Sequence, residues 1–103
     1  MLIKVILEIC YLSDEETIEV CKIARKVRPD FVKTSTGFGT SGATVEAVRL
    51  MKETVGDDVK VKAAGGIRDY ITCKAMIEAG AERIGTSSSI KILEEYKKSE
   101  AHV

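Results

Sequence analysis

Two lysines in this chain stand where an amine could act as a nucleophile. Lys33 lies in DFVKTS and Lys62 in VKVKAA, two short stretches of strand character. Strand side chains alternate, so Phe31, Lys33 and Ser35 share one face of their strand, and Lys60, Lys62 and Ala64 share one face of theirs. If the two strands are neighbours, the two ammonium groups approach each other. Like charges at close range lower the pKa of one and free an amine at neutral pH. Such an amine can attack an aldehyde and form an imine. The competing explanation is that each lysine sits on a strand rim with its head in water.

Glycine-rich strand ends are the second chemical feature. Gly37-Phe38-Gly39-Thr40-Ser41-Gly42 fits the GxGxxG pattern of a dinucleotide loop. The acid that should follow about 20 residues later to hold a ribose is missing, because that stretch reads Lys62-Ala63-Ala64-Gly65-Gly66. A loop whose amides approach a phosphate remains. Gly65-Gly66-Ile67-Arg68 and Gly85-Thr86-Ser87-Ser88 point the same way. Bare glycine amides, hydroxyls and a helix N-terminus make a phosphate cradle, although glycines in such places also serve as plain turn residues. Glu8 can carry a proton or act as a counter-charge beside the lysines. Arg83 is a natural structural partner for an interior carboxylate. His102 and Cys10 carry no mark of chemistry.

These residues need strands and helices to position them, and the chain supplies four strand–helix units. Strands are expected at about residues 2–8, 30–35, 59–64 and 82–86. Ser13, with Glu16 three residues on, caps a first helix that Pro29 stops. Its apolar face is read as Ile18, Cys21 and Ile23 or Ala24. Thr44 caps a second helix with Val45, Val48 and Met51 or Leu50 on its apolar face, and Asp69 caps a third. Ser87-Ser88-Ser89 opens a fourth, and residues from about 97 onward read as a frayed tail. Repeated strand–helix units require parallel strands. Their spacing of roughly 25 residues matches a (β/α)8 barrel of about 250 residues, and four units make half of one. If these are the last two strands of a barrel, Gly65-Gly66 and Gly85 to Ser88 occupy its usual phosphate site.

The chain of 103 residues fits one domain spanning 1–103. Sixteen basic residues balance sixteen acidic ones, so charge suggests neither nucleic acid nor a membrane surface. The apolar start MLIKVILEIC is broken by Lys4 and Glu8 and reads as a strand, not a signal peptide. Three scattered cysteines with no CxxC pair argue for reduced thiols in a cytoplasm and against a zinc site.

The segments VILE, DFVKTSTGFG, GATVE, VKAAGGIR and AGAERIGTSS resemble the deoxyribose-phosphate aldolase family in order and spacing, over roughly residues 3–93. That family consists of class I, Schiff-base-forming TIM-barrel aldolases, and the resemblance is to the fifth through eighth units of the barrel only. It implies that Lys33 forms the Schiff base and that Lys62 activates it or transfers a proton. It implies that Thr36, Gly37, Gly65, Gly66, Gly85, Ser87 and Ser88 hold the sugar phosphate, with Arg68 close by. The implied reaction is reversible cleavage of 2-deoxyribose 5-phosphate to glyceraldehyde 3-phosphate and acetaldehyde, with no metal and no other cofactor. An aspartate of the family's proton relay belongs to the other half of the barrel, and no residue here stands in for it. Ile9-Cys10 and Arg28-Pro29 also depart from the family pattern. Implied partners are the phosphorylated sugar or aldehyde and either a second copy of the chain or a separate N-terminal half-barrel. A non-catalytic phosphate-binding half-barrel, or an inactive fragment, fits the same residues.

Overall fold

The computed structural model describes residues 3–35 and 42–101. Four short strands, β1 (Lys4–Ile6), β2 (Phe31–Lys33), β3 (Lys60–Ala64) and β4 (Arg83–Gly85), form one sheet in the order β1-β2-β3-β4. Every neighbouring pair is parallel. Between and after them run α1 (Asp14–Val27), α2 (Val45–Val55), α3 (Tyr70–Ala79) and α4 (Ser89–Ala101). This is the expected half of a (β/α)8 barrel: four consecutive β/α units in one parallel sheet.

Alternation along the strands sorts the side chains into two sets. Val32, Val61 and Ala63 point to the helices and are fully buried, with Val5 and Ile84 packed beside them. Cys21 and Ala24 of α1, Val48, Met51 and Val55 of α2, Met76 and Ala79 of α3, and Ile92 of α4 complete that core. All four helices therefore cover one face, and each packs against the next. The other face carries Lys4, Ile6, Phe31, Lys33, Lys60, Lys62, Ala64, Arg83 and Gly85, and none of the four described helices lies on it, although Phe31 and Ala64 are buried among their neighbours.

The helices begin where their caps require. Ser13 and Glu16 form a reciprocal capping box, Thr44 accepts from the Ala47 amide at 3.1 Å, and Asp69 accepts from the Thr72 amide at 2.7 Å. The chain leaves α1 through Arg28 in the left-handed region, directly before Pro29.

Several boundaries and faces differ from the sequence expectation. The buried stripe of α1 is Thr17, Cys21 and Ala24, while Ile23 is 60% exposed and Ile18 half-buried. On α2 it is Val48, Met51 and Val55, with Val45 and Leu50 only half-buried. Residues 97–101, read as tail, continue α4. Strand β1 stops at Ile6, and Glu8 takes a left-handed conformation (φ 54°, ψ 64°) that leads into a 3-10 turn, Ile9–Tyr11. Strand alternation therefore does not govern Glu8. Backbone pairing still continues past β1, because the Leu7 amide donates to the Lys33 carbonyl and the Ile9 amide to that of Thr34, both at 3.0 Å.

Candidate active site

The ladder between β2 and β3 sets Lys33 directly opposite Lys62. Opposed residues of neighbouring strands face the same way, about 4.8 Å apart at the backbone. Both side chains therefore leave from the open face. The same register row continues to Ile6 on one side and Arg83 on the other. One row below lie Lys4, Phe31 and Lys60.

The Lys62 ammonium is held below the ordinary lysine pKa of 10.5. Partial burial is the largest cause, followed by repulsion from Lys4, Lys33 and Arg83. Repulsion between neighbouring amines, expected from the sequence, thus contributes to lowering the Lys62 pKa. Gly85 gives it room. A Cβ on Gly85 would stand 3.2 Å from Lys62 Cε and 3.1 Å from Ala64 Cβ, so the lysine stem lies across the bare backbone of β4.

The glycine-rich ends gather at the C-terminal edge of the sheet. Gly65 and Gly66 both have positive φ, 89° and 75°, a conformation that favours glycine. The Ala43 amide is shared between the carbonyls of Ala64 (3.0 Å) and Gly65 (3.1 Å). Any Cβ on Gly42 would meet the Gly65 carbonyl carbon and oxygen far inside contact distance. The last glycine of the dinucleotide-like pattern thus clasps the loop after β2 to the loop after β3. Thr86 Oγ1 donates to the Ile67 carbonyl and accepts from the Ser88 amide at 3.0 Å, which joins the loops after β3 and β4. The Ser88 carbonyl accepts the Ile92 amide, so α4 opens at this edge. Gly65 and Gly66 after β3 and Gly85, Ser87 and Ser88 after β4 therefore lie on two mutually bonded segments, the first of them also clasped by Gly42 and Ala43. Ser87 and Arg68 are exposed and Ser88 is half-buried. Thr36, Gly37, the rest of the loop to Ser41, and His102 lie outside the described residues.

Three residues at this edge have roles that the sequence did not reveal. Thr34 follows Lys33 directly and is fully buried. Its hydroxyl donates to the Ala64 carbonyl and lies 3.0 Å from the Ala64 amide, locking the ends of β2 and β3 together. Gly42 acts through the clasp just described. Ser35, just past the end of β2, is fully buried, and its Oγ has no hydrogen-bond partner among the described residues. A polar residue between two strand-face positions was the available signal for Thr34. Among the described residues Arg83 has no carboxylate partner of the kind expected. Its Nη1 donates to the Glu82 carbonyl, and its guanidinium lies 5.9 Å from the centre of the Phe31 ring.

Comparison with known proteins gives this arrangement a context. No protein-family model matches the chain. Deoxyribose-phosphate aldolase of Caldanaerobacter subterraneus subsp. tengcongensis is 62% identical over 98 residues, which is 95% of this chain and 42% of that protein. Among solved structures, the aldolase QR15 superposes with a TM-score of 0.89 at 51% identity, covering 97% of this chain and 45% of that one. The tetrameric deoxyribose phosphate aldolase from Aeropyrum pernix superposes with a TM-score of 0.85 at 37% identity, covering 95% and 42%. The chain matches part of these aldolases and spans less than half their length.

Proposed function

We propose that this chain carries the amine nucleophile and the phosphate cradle of a deoxyribose-phosphate aldolase of the Schiff-base type. The observation that carries the reading is the register pairing of Lys33 with Lys62 on an open sheet face, beside three linked glycine-rich strand ends. The Lys33 amine adds to C1 of open-chain 2-deoxyribose 5-phosphate and expels water as the iminium forms. A base removes the proton of the C3 hydroxyl. The C2–C3 bond breaks, its electron pair moves into the iminium, and glyceraldehyde 3-phosphate departs. The enamine left on Lys33 takes a proton at C2, and hydrolysis releases acetaldehyde and the free amine. Lys62, held below its ordinary pKa, can exchange the proton that Lys33 must shed.

The phosphate is assigned to the amides of Gly65 and Gly66, the hydroxyls of Ser87 and Ser88 and the N-terminus of α4, with Thr36, Gly37, Gly85 and Arg68 completing the set. None of the four strands contains an Asp or Glu. The base for the C3 hydroxyl therefore comes from outside them. Turnover needs the sheet to be closed by further strands, as the longer relatives that the chain matches in part would supply. Localisation in the cytoplasm is part of the proposal; among the described residues no helix is long and apolar enough to cross a membrane.

Borohydride trapping with 2-deoxyribose 5-phosphate and with 2-deoxyribose tests the substrate. The phosphorylated sugar should label the protein at lower concentration, and inorganic phosphate should compete. Equal labelling by the two sugars would remove the phosphate cradle from the account. Phosphate-competed binding of the sugar phosphate with no adduct would favour a non-catalytic phosphate-binding half-barrel, the reading supported by the lack of a strand carboxylate.

A further inference from the structure

The backbone ladder between β2 and β3 breaks directly after Lys33. In an extended strand the amide and carbonyl of one residue point to the same neighbour, and successive residues of a parallel ladder serve the two neighbours in turn. The Lys33 carbonyl faces the β1 side and accepts from the Leu7 amide at 3.0 Å. The Thr34 amide turns to β3 and donates to the Lys62 carbonyl, also at 3.0 Å. Regular pairing would next bring the Ala64 amide to the Thr34 carbonyl. That carbonyl instead accepts from the Ile9 amide at 3.0 Å. Two successive carbonyls therefore face the β1 side, and the end of β3 loses its backbone acceptor. The Thr34 hydroxyl stands in for it. Its Oγ1 accepts from the Ala64 amide and donates to the Ala64 carbonyl, both at 3.0 Å, in a fully buried position. Buried backbone groups must be paired, and here a side chain supplies the pairing that the ladder no longer does.

Both halves of the candidate site meet at this hydroxyl. Lys33 immediately precedes Thr34, Lys62 lies two residues before Ala64, and Gly65 immediately follows it. The Ala64 carbonyl also accepts from the Ala43 amide at 3.0 Å, so the ends of β2 and β3 and the segment leading into α2 are tied at one oxygen. We propose that Thr34 is a positioning residue of the site: its hydroxyl holds the Lys33 amine and the Gly65 and Gly66 amides at one fixed separation, and so selects a substrate whose carbonyl and phosphate lie that far apart. The inference rests on the aldolase reading and adds to it a source of specificity. In open-chain 2-deoxyribose 5-phosphate the carbonyl and the phosphate stand at opposite ends of the carbon chain. Both ends are held at once only if the two anchors keep their spacing. Thr34 itself, being fully buried, touches no reacting atom.

Two labelling reagents separate positioning from stability. Acetaldehyde needs only the Lys33 amine, whereas 2-deoxyribose 5-phosphate needs the amine and the cradle at their proper distance. Each is used with borohydride on the wild-type chain, Thr34→Val, Thr34→Ser and Val32→Ala, the last a loss of core packing on the same strand that spares the hydroxyl. In Thr34→Val the preference for the sugar phosphate over acetaldehyde should fall about tenfold or more, and inorganic phosphate should compete less. Thr34→Ser should restore both. Val32→Ala should lower the urea midpoint and keep the preference. The Lys62 ammonium, followed by NMR, should titrate closer to 10.5 in Thr34→Val, because parted strand ends expose it and move it away from Lys33. A preference retained in Thr34→Val, or lost equally in Val32→Ala, overturns the proposal. Should Thr34→Val fail to fold, as judged by circular dichroism, Thr34→Ala carries the same comparison with the same outcomes. A wild-type chain that gives no Lys33 adduct with either reagent defeats the aldolase reading instead. The Lys62 titration then tests the spacing alone, and an unchanged titration in the variant overturns it.

Discussion

The helix-covered face and the open face of the sheet are made by the same four short strands, yet they are built for different ends. In KVI, FVK, KVKAA and RIG, one set of alternate positions is Val, Ala and Ile, buried under four helices. The other set is dominated by Lys and Arg that form no ion pair among the described residues. Burial drives the first face, and each fully buried aliphatic side chain there contributes roughly 1.5–3 kcal/mol. The second face contributes little to holding these four units together, and its partly buried Lys62 works against them. Stability is thus concentrated on one side of the sheet and candidate chemistry on the other.

The difference can be broken most violently from the covered side. Val61→Asp would bury a carboxylate without a partner among Val32, Val48 and Met51, and should remove about 4 kcal/mol or more, enough to unfold so small a domain. The same change at Lys4, on the open face, should shift the urea midpoint by less than about 1 kcal/mol. Comparable losses at both positions would mean that the open face is a packed core after all. Next in size is Gly42→Ala. Its Cβ has no space against the Gly65 carbonyl, so the two loops must part. A stability loss of about 1–3 kcal/mol is expected, together with weaker competition by inorganic phosphate in the labelling assay. Retained phosphate competition would detach the clasp from the cradle.

A smaller effect follows from Lys62. Its pKa in the folded chain lies below 10.5, so between the folded and unfolded values the unfolded chain holds more protons and stability rises with pH. Below the folded value the penalty is present in full. Lys62→Met should therefore be more stable than wild type at neutral pH, with the gap closing as pH approaches 10.5. A gap independent of pH would assign the gain to packing instead. Ser35→Ala should have the least effect. Its buried hydroxyl has no partner among the described residues, so removing it should leave stability unchanged or raise it by up to about 1 kcal/mol. A clear loss would reveal a bond that the hydroxyl makes.

Much of this arrangement was legible in the sequence, for identifiable reasons. Alternation alone put Lys33 and Lys62 on matching faces, and parallel register then set them opposite each other. The caps Ser13, Thr44 and Asp69 were readable because a cap is a local event between residues three apart. The role of Gly42 was not readable, since it depends on a contact with Gly65, which belongs to another loop. Glu8 was misplaced because a left-handed turn after Leu7 ends the alternation that the apolar run seemed to extend. Residues 97–101 carry no apolar periodicity, so nothing marked them as helix. On α1, Ile23 is more apolar than Ala24, but the small side chain is the one that joins the buried core, one position further round the helix.

The central claim is that the open face presents one reactive amine, and acetaldehyde with borohydride addresses it directly. Peptide mapping of the labelled chain should find the ethyl adduct concentrated on Lys33. Lys33→Ala should abolish labelling at that site without creating a new one, and Lys62→Leu should slow labelling of Lys33 near neutral pH. An adduct spread evenly over the surface lysines, or seated on Lys62 in the wild-type chain, would contradict the account.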